Sequence, residues 1–360
     1  MPELDALLHH LVEVGGTDLL VKAGAVPHVR VGGRMQATPF EVVDANEVPK
    51  LLTGAVPRHR AEELEEAGET EFAYGVSGLG RFRVSAFRQR GTLAISFHRV
   101  VPGLPRPDEL GLPPVLDRLT AEGRGLVLIT GPTGSGVTTT MCAIVDHVNE
   151  HRSCHVVTIE NPVEYLHVDK MAVISQREVG TDTKSVAEAV RRASRQGADV
   201  LAVGAIPDAE GLRAVLAAAE AGALVVAVMP AQSAEDALIR LVDAFPESER
   251  RQVRITLATV LRAVLGQRLL DRADDKGRVA AFELLLSTSK VEDCVIEDRL
   301  SDLPRLISDG EYRGMQTLDR ALQNLARDGL VSVRDAVACA AEPEELRIAL
   351  GSLGGSYSNS

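Results

Sequence analysis

A chain of 360 residues exceeds one ordinary domain and suits two unequal ones, and its 45% hydrophobic and 25% charged content is that of a folded globular protein rather than a disordered one. With 39 Lys+Arg against 51 Asp+Glu the net charge is −12, which repels phosphate backbones and anionic membrane surfaces and argues against a nucleic acid partner. Cys142, Cys154, Cys294 and Cys339 show neither paired nor metal-ligand spacing, so they read as buried thiols in a reducing compartment.

Met1-Pro2-Glu3-Leu4-Asp5 is no basic start to an apolar run, so no secretory signal is expected and the protein is expected to stay in the cytoplasm. In 4–14, Leu4, Leu7, Leu8, Leu11 and Val12 recur at helical spacing. The alternation from Val26 predicts a hairpin turning at Gly32-Gly33. From Glu71 a strand, a turn at Val76-Ser77-Gly78, RFRVSAFRQR and TLAISFHRV predict an antiparallel sheet. Residues 101–107 (VPGLPRP) sustain neither a helix nor an inner strand and are expected to link an N-terminal α+β domain, 1–100, to a core spanning 108–349.

Past that linker, short apolar strands alternate with helical patterns: GLVLIT, a helix over 137–150, HVVTIE, a helix over 182–196, DVLAVG, a helix over 207–220, and ALVVAVM. This rhythm predicts an α/β core with a parallel sheet covered on both faces. Ala234–Arg272 is expected to be helical, RVAAFELLL to be a strand, and GMQTLDRALQNLARDGLVS to hold an amphipathic helix stopped at Gly329. Residues 350–360 are expected to be a flexible Gly/Ser-rich tail. No segment has the length and apolarity to span a membrane.

GLVLIT-GPTGSGVT-TTMCAIV is a strand, a glycine-rich turn and a helix. It matches the phosphate-loop pattern G-x-x-x-x-G-K-[ST] everywhere but at Val137. Gly131, Pro132, Thr133, Gly134, Ser135, Gly136, Val137, Thr138 and Thr139 are therefore the candidate nucleotide-binding residues. The glycines let backbone N–H groups wrap a phosphate at a helix N-terminus, and the Thr138 hydroxyl is placed for Mg²⁺. Valine lacks the ammonium that would neutralise charge on the departing phosphoryl group, so hydrolysis should suffer more than binding. The histidines form no H-E-x-x-H pair, and no G-x-S-x-G elbow is present, so no metal is expected beyond Mg²⁺ with nucleotide.

GPTGSGVTTT, VVTIENPVEYLH, DVLAVGAIPD, LVVAVMPAQSAEDALIRLVDAFP, LGQRLLDRAD and YRGMQTLDRAL, with GGTDLLVKAG near the start, together resemble the PilT/PilU retraction ATPases of type IV pili, in the secretion-ATPase superfamily. The likeness runs over about residues 4–349. It implies a RecA-like core behind a PAS-like N-terminal domain, a hexameric ring, and ATP or ADP with Mg²⁺. The resemblance also marks departures. The family's Asp box reads TIENPVE, with Glu160 and Glu164 kept and Asn161 replacing the aspartate; Ala205 stands at the Walker B glutamate and Pro230 at the His-box histidine. In VEDCVIED, 291–298, Asp293 and Glu297 replace arginines.

Arg81, Arg83, Arg88 and Arg90 lie in an alternating strand, with Arg99 beyond it, so several guanidinium groups are expected on one sheet face. By resemblance, Arg90 and Arg99 are the arginines that reach a nucleotide; a solvated, ion-paired face remains open for any one of them. The implied function is a catalytically impaired ring subunit or regulator, binding nucleotide weakly or not at all. Its implied partners are copies of itself or an active paralogue, and the inner-membrane platform of the pilus machine, where it would dock peripherally. The alternatives are an active retraction motor working through Glu160, Glu164 and the arginines, and a non-hydrolysing nucleotide sensor.

Overall fold

In a computed structural model of the chain, residues 3–100 and 104–351 are described. They divide into two compact units, the first running to the break at 101–103 and taking in Pro162–Leu166, the second comprising Leu104–Asn161 and everything from His167 on. The first three positions of the expected linker lie outside the described residues, as do 352–360 of the expected tail.

The first unit begins with α1 (Leu4–Glu13), followed by β1 (Asp18–Lys22), β2 (His28–Val31), β3 (Arg34–Ala37), α2 (Val48–Leu51) and α3 (Arg58–Ala67). β4 (Glu69–Val76), β5 (Gly80–Gln89) and β6 (Thr92–Val100) complete a six-stranded antiparallel sheet in the order β3-β2-β1-β6-β5-β4. Alternation fixes its register: Leu19, Val21, Phe72, Phe82, Val84, Ile95 and Phe97 point to one face, where Leu7, Leu8 and Leu11 of α1 close the core.

The second unit comprises α4 (Val115–Glu122), β7 (Gly125–Thr130), α5 (Val137–His151), β8 (His155–Glu160), β9 (Val173–Glu178), α6 (Val186–Arg195), β10 (Val200–Val203), α7 (Ala209–Glu220) and β11 (Leu224–Met229). α8 (Ala234–Asp243), α9 (Glu247–Val260), β12 (Leu261–Asp271), β13 (Arg278–Leu286), α10 (Ser289–Ile296), α11 (Leu303–Asp309), α12 (Leu318–Arg327), α13 (Val333–Cys339) and α14 (Pro343–Gly351) follow. The sheet order is β13-β12-β7-β11-β10-β8-β9, parallel throughout except for β13. β7, β10 and β11 are buried along their whole length, which is why they read as unbroken apolar runs rather than alternating ones.

Several expectations need correction. The stretch Ala234–Arg272 is not helical throughout: after α9 the chain enters β12, which lies between β7 and β13 and is buried on both faces over residues 263–267, a pattern that a buried helix shares. β9 was not expected at all, because this edge strand buries only Glu178 fully and carries a polar SQRE sequence. Leu350 and Gly351, expected in the tail, close α14, where Leu350 is buried. Of the cysteines, all free, Cys142 and Cys294 are buried but Cys154 and Cys339 only half-buried. Among the described residues no helix is long and apolar enough to cross a membrane.

The chain from His167 to Ala172 is strapped to α5 by the buried Asn149. Its Nδ2 donates to the Val168 carbonyl (2.8 Å), its Oδ1 accepts from the Lys170 amide (3.0 Å), and its own carbonyl accepts from Met171 (2.9 Å) and Ala172 (3.3 Å). Lys170 Nζ adds ion pairs to Asp146 and Glu150 at 2.9 and 2.8 Å. Asn149→Ala is expected to cost about 2 kcal/mol, from two lost side-chain bonds and their stranded partners. It should lower the urea midpoint and open 167–172 to proteolysis; unchanged cleavage there would show that other contacts hold the strap.

The side chain of His167 is fully buried beneath this strap, 3.8 Å from Asp146. Burial pushes its pKa below the usual histidine value, only partly offset by the Asp146 carboxylate. A depressed histidine pKa means that folding favours the neutral ring. Its contribution is therefore complete above the unfolded pKa, near 6.5, and is lost as pH falls toward the folded value. His167→Leu is expected to flatten this acid limb below about pH 6.5; an unchanged pH–stability profile would place the limb elsewhere.

Candidate functional site

The candidate site is built at the carboxyl end of the second unit's sheet, where crevices in open α/β folds take ligands. After β7 the chain turns sharply: Ser135 N–H donates back to the Pro132 carbonyl (3.1 Å), and Gly134 and Gly136 both adopt left-handed φ of +84°. Gly131 permits no side chain, since a Cβ there would collide with Ser135 Oγ and lie 2.7 Å from the Gln267 carbonyl. Gly136 then serves as N-cap of the 15-residue helix α5, whose N-terminal dipole favours an anion.

The loop is held from β12 by Gln267, which is buried. Its Nε2 donates to the Ser135 carbonyl (2.7 Å) and its Oε1 accepts from Thr140 Oγ1 (2.7 Å), so a single amide joins the strand, the loop and the helix. Sequence reasoning passed over Gln267 because it lies in a stretch expected to be helical. Ser135 Oγ is buried and has no hydrogen-bond partner among the described residues. An orphaned hydroxyl inside a glycine cradle at a helix N-terminus fits a phosphate group. Val137 opens α5 and is half-buried, and the Thr138 hydroxyl beside it forms no hydrogen bond among the described residues. Pro132, Thr133 and Thr139 complete the turn.

Glu160 ends β8, which is separated from β7 by β10 and β11. Three strand spacings place it roughly 14 Å from the end of β7. Its side chain is buried; Oε1 accepts from Thr158 Oγ1 (2.6 Å) and from Gln176 Nε2 of β9 (3.3 Å). Asn161 and Ala205, which follow β8 and β10, are exposed. Asp208 in the same segment is a helix cap, accepting from the Gly211 amide (2.7 Å). Pro230, also exposed, follows β11; Ala231 next to it accepts Thr130 Oγ1 (3.3 Å), and Ser233 caps α8. Glu283 of β13 reaches over Gly266 to accept the Ala234 amide (2.6 Å), and burial raises its pKa above the usual carboxylate range.

Glu164 belongs to the first unit, where it pairs with Arg83 (3.6 Å) beside a cavity of about 160 Å³ lined by Arg83, His98, Arg99, Val100, Glu164 and Tyr165. The arginines do not share one face. Arg83 lies opposite His98, which in turn faces Asp18, whereas Arg99 lies opposite the buried Phe82 and so shares that face, as does Arg88 by alternation. Arg90 sits with φ 47° in the turn joining β5 and β6. The distance along β6 from that turn to Arg99 is roughly 23 Å at 3.3 Å per residue, so Arg90 and Arg99 of one chain cannot grip one phosphate. Asp293 in α10 and Glu297, which caps its C-terminus, are exposed, and Glu297 pairs with Arg299 at 2.8 Å.

The family model described as "Type II/IV secretion system protein" matches residues 113–328. The chain is 36% identical over 342 residues to the type IV pilus retraction ATPase PilT of Pseudomonas aeruginosa, covering 95% of this chain and 99% of that protein. It is 35% identical over 346 residues to the type IV pilus ATPase PilU of the same organism, covering 96% and 91%. The chain belongs to the PilT/PilU family of secretion ATPases. A crystal structure of the pilus retraction motor PilT with bound ADP superposes on this family member with a TM-score of 0.88 at 35% identity, covering 97% of this chain and all of that one. The Legionella pneumophila ATPase DotB, 23% identical over 97% of this chain and 95% of its own, shares the fold with a TM-score of 0.83.

Within this PilT/PilU-family chain, Gln267→Leu is expected to leave the Ser135 carbonyl and the Thr140 hydroxyl without their partner, at a cost of about 1–3 kcal/mol. Thermal unfolding should register the loss. A variant as stable as the parent would mean that water replaces the amide.

Proposed function

We propose that this PilT-like chain holds a nucleoside di- or triphosphate weakly at Gly131–Thr139, turns it over little or not at all, and serves as a ring subunit or regulator of pilus retraction. The carrying observation is a phosphate cradle with its frame intact, while the positions expected to move protons carry Ala205 and Pro230. Backbone N–H groups between Thr133 and Thr138, that of Ser135 apart, would hold the phosphates, the Ser135 hydroxyl would gain a partner, and the Thr138 hydroxyl would face Mg²⁺. Bound Mg²⁺ would neutralise phosphate charge; Val137 adds none. ADP bound to PilT, a relative at 35% identity, supports the nucleotide reading.

An active motor would have to pass protons through Glu160 or Glu164. Thr158 and Gln176 already engage Glu160, and Arg83 engages Glu164, which argues against that route. A non-hydrolysing sensor is the second reading, favoured by the orphaned Ser135 hydroxyl, since it needs binding and no chemistry. The ring would be a homo-hexamer or a mixture with an active paralogue, in the cytoplasm and docked on the pilus platform at the inner membrane; similarity across nearly all of PilT supports this.

Steady-state phosphate release with Mg²⁺ and ATP is expected at background. Turnover that Thr138→Ala abolishes would overturn the reading. Val137→Lys should tighten nucleotide binding without restoring turnover, because Ala205 still accepts no proton; full activity from that one change would show that Ala205 does not occupy the catalytic position. Light scattering at micromolar concentration, with and without ATP, tests the ring, and a strict monomer in the presence of any paralogue would remove it.

A further inference from the structure

We propose that Arg268 supplies, from within the same chain, the positive charge that Val137 leaves out of the phosphate loop. The inference rests on the nucleotide-binding reading above and names the residue that would make such binding possible without a lysine.

β7, which leads into the loop, lies between β12 and β11. On the β12 side Gly266 pairs with Thr130, the last residue of β7, so Gln267 and Arg268 continue alongside the chain as it turns at Gly131. Successive side chains on a strand point to opposite faces. Gln267 faces the loop and α5, and Arg268 therefore points the other way. Its Nη2 reaches the Gln232 carbonyl (2.6 Å) and Gln232 Oε1 (2.9 Å), and its Nη1 bonds the Gln267 carbonyl (3.2 Å). Gln232 lies in the segment after β11, on the far side of β7. A side chain rooted in β12 and bonded beyond β11 crosses the carboxyl end of the strand between them, at the mouth of the loop. The Gln267 carbonyl that anchors it is the oxygen a Cβ on Gly131 would strike at 2.7 Å.

The charge on Arg268 is not neutralised by direct contact. All three acceptors are neutral oxygens, and Arg268 forms no ion pair among the described residues. Glu283, which feels this charge, is buried with its Oε2 committed to the Ala234 amide. Of the five guanidinium N–H groups, three are engaged, leaving Nε–H and one Nη1–H for an incoming oxygen. A permanently charged planar donor set suits a phosphate better than any other group in reach. The ligand class is a nucleoside polyphosphate whose terminal oxygens rise above the loop.

The test is equilibrium binding of fluorescent ADP and ATP analogues, with Mg²⁺, to the full chain and to Arg268→Gln, Arg268→Lys, Gln232→Ala, Val137→Lys and Val137→Lys/Arg268→Gln, each checked for folding by thermal unfolding. Arg268→Gln is expected to weaken binding about tenfold or more and to flatten its dependence on salt. Arg268→Lys, which keeps the charge, should stay within about threefold of the parent, as should Gln232→Ala, which removes one contact of the bridge and keeps the cation. With lysine at 137 the effect of Arg268→Gln should shrink, since two cations serving one phosphate are not additive. Equal affinity of parent and Arg268→Gln would overturn the proposal while leaving nucleotide binding in place. Equal losses in all three single variants of Arg268 and Gln232 would also overturn it, assigning the bridge a purely structural role. Should neither the parent nor Val137→Lys, both folded, bind nucleotide, the nucleotide reading itself fails and this proposal with it.

Discussion

The Gln267 amide is the constraint on which the candidate site depends. A phosphate loop must turn its N–H groups outward to a ligand, so its carbonyls need satisfying from beneath. A carboxamide does this with one side chain, donating to Ser135 O and accepting from Thr140 while buried against the sheet. No apolar residue offers both functions, and no single-atom donor spans loop and helix together. The two glycines nearest it obey the same constraint: Gly131 would strike the Gln267 backbone and Gly136 its Nε2, at 3.1 Å from a Cβ. The loop's shape is thus inherited from β12, and Val137 contributes little to it.

On the proposed reading, this separation lets catalytic groups be absent while the frame remains. Ala205, Pro230 and Asn161 are all exposed residues past strand ends, where exchanging a side chain opens no cavity and strands no buried partner. Positions that the fold requires have the opposite character. Ser233 and Asp208 cap α8 and α7, Thr130 ties β7 to the loop after β11, and Asn149 holds the strap over α5. These are polar residues of the kinds their hydrogen bonds require.

Much of this architecture was legible in the sequence, because strands buried on both faces and helices with caps announce themselves by pattern. β7, β8, β10, β11 and α5 lie where periodicity placed them, and the glycine turn between β7 and α5 has the form its spacing implied. The failures have physical causes. β12 is buried on both faces, so its apolar run lacks the period of two that separates a strand from a helix. β9 is an edge strand whose polar residues serve local bonds, such as Gln176 to Glu160 and to the His167 amide. Alternation alone placed the arginines on one face; the β5–β6 pairing register separates Arg83 from Arg99 and puts Arg90 at the far turn. Arg268 was visible only as part of a familiar string, since its role depends on which strands flank β7, a long-range fact of topology.

The TIENPVE segment shows how a contiguous motif can separate in three dimensions. Glu160 belongs to the parallel sheet, with its carboxylate held by Thr158 and Gln176. Four residues later Glu164 is part of the first unit, paired with Arg83 near His98 and Arg99. Pro162 stands between them, where it denies the chain a helical continuation and lets the pentapeptide Pro162–Leu166 leave the sheet for the other unit. The two acids therefore face different surroundings, one buried and accepting from Thr158 and Gln176, the other half-exposed against a guanidinium. A neutral donor favours a carboxylate through a hydrogen bond alone, whereas an arginine also contributes its full charge. On the proposed reading each retained acid serves its own unit, Glu160 through Thr158 and Gln176 in the parallel sheet and Glu164 through Arg83 in the first unit.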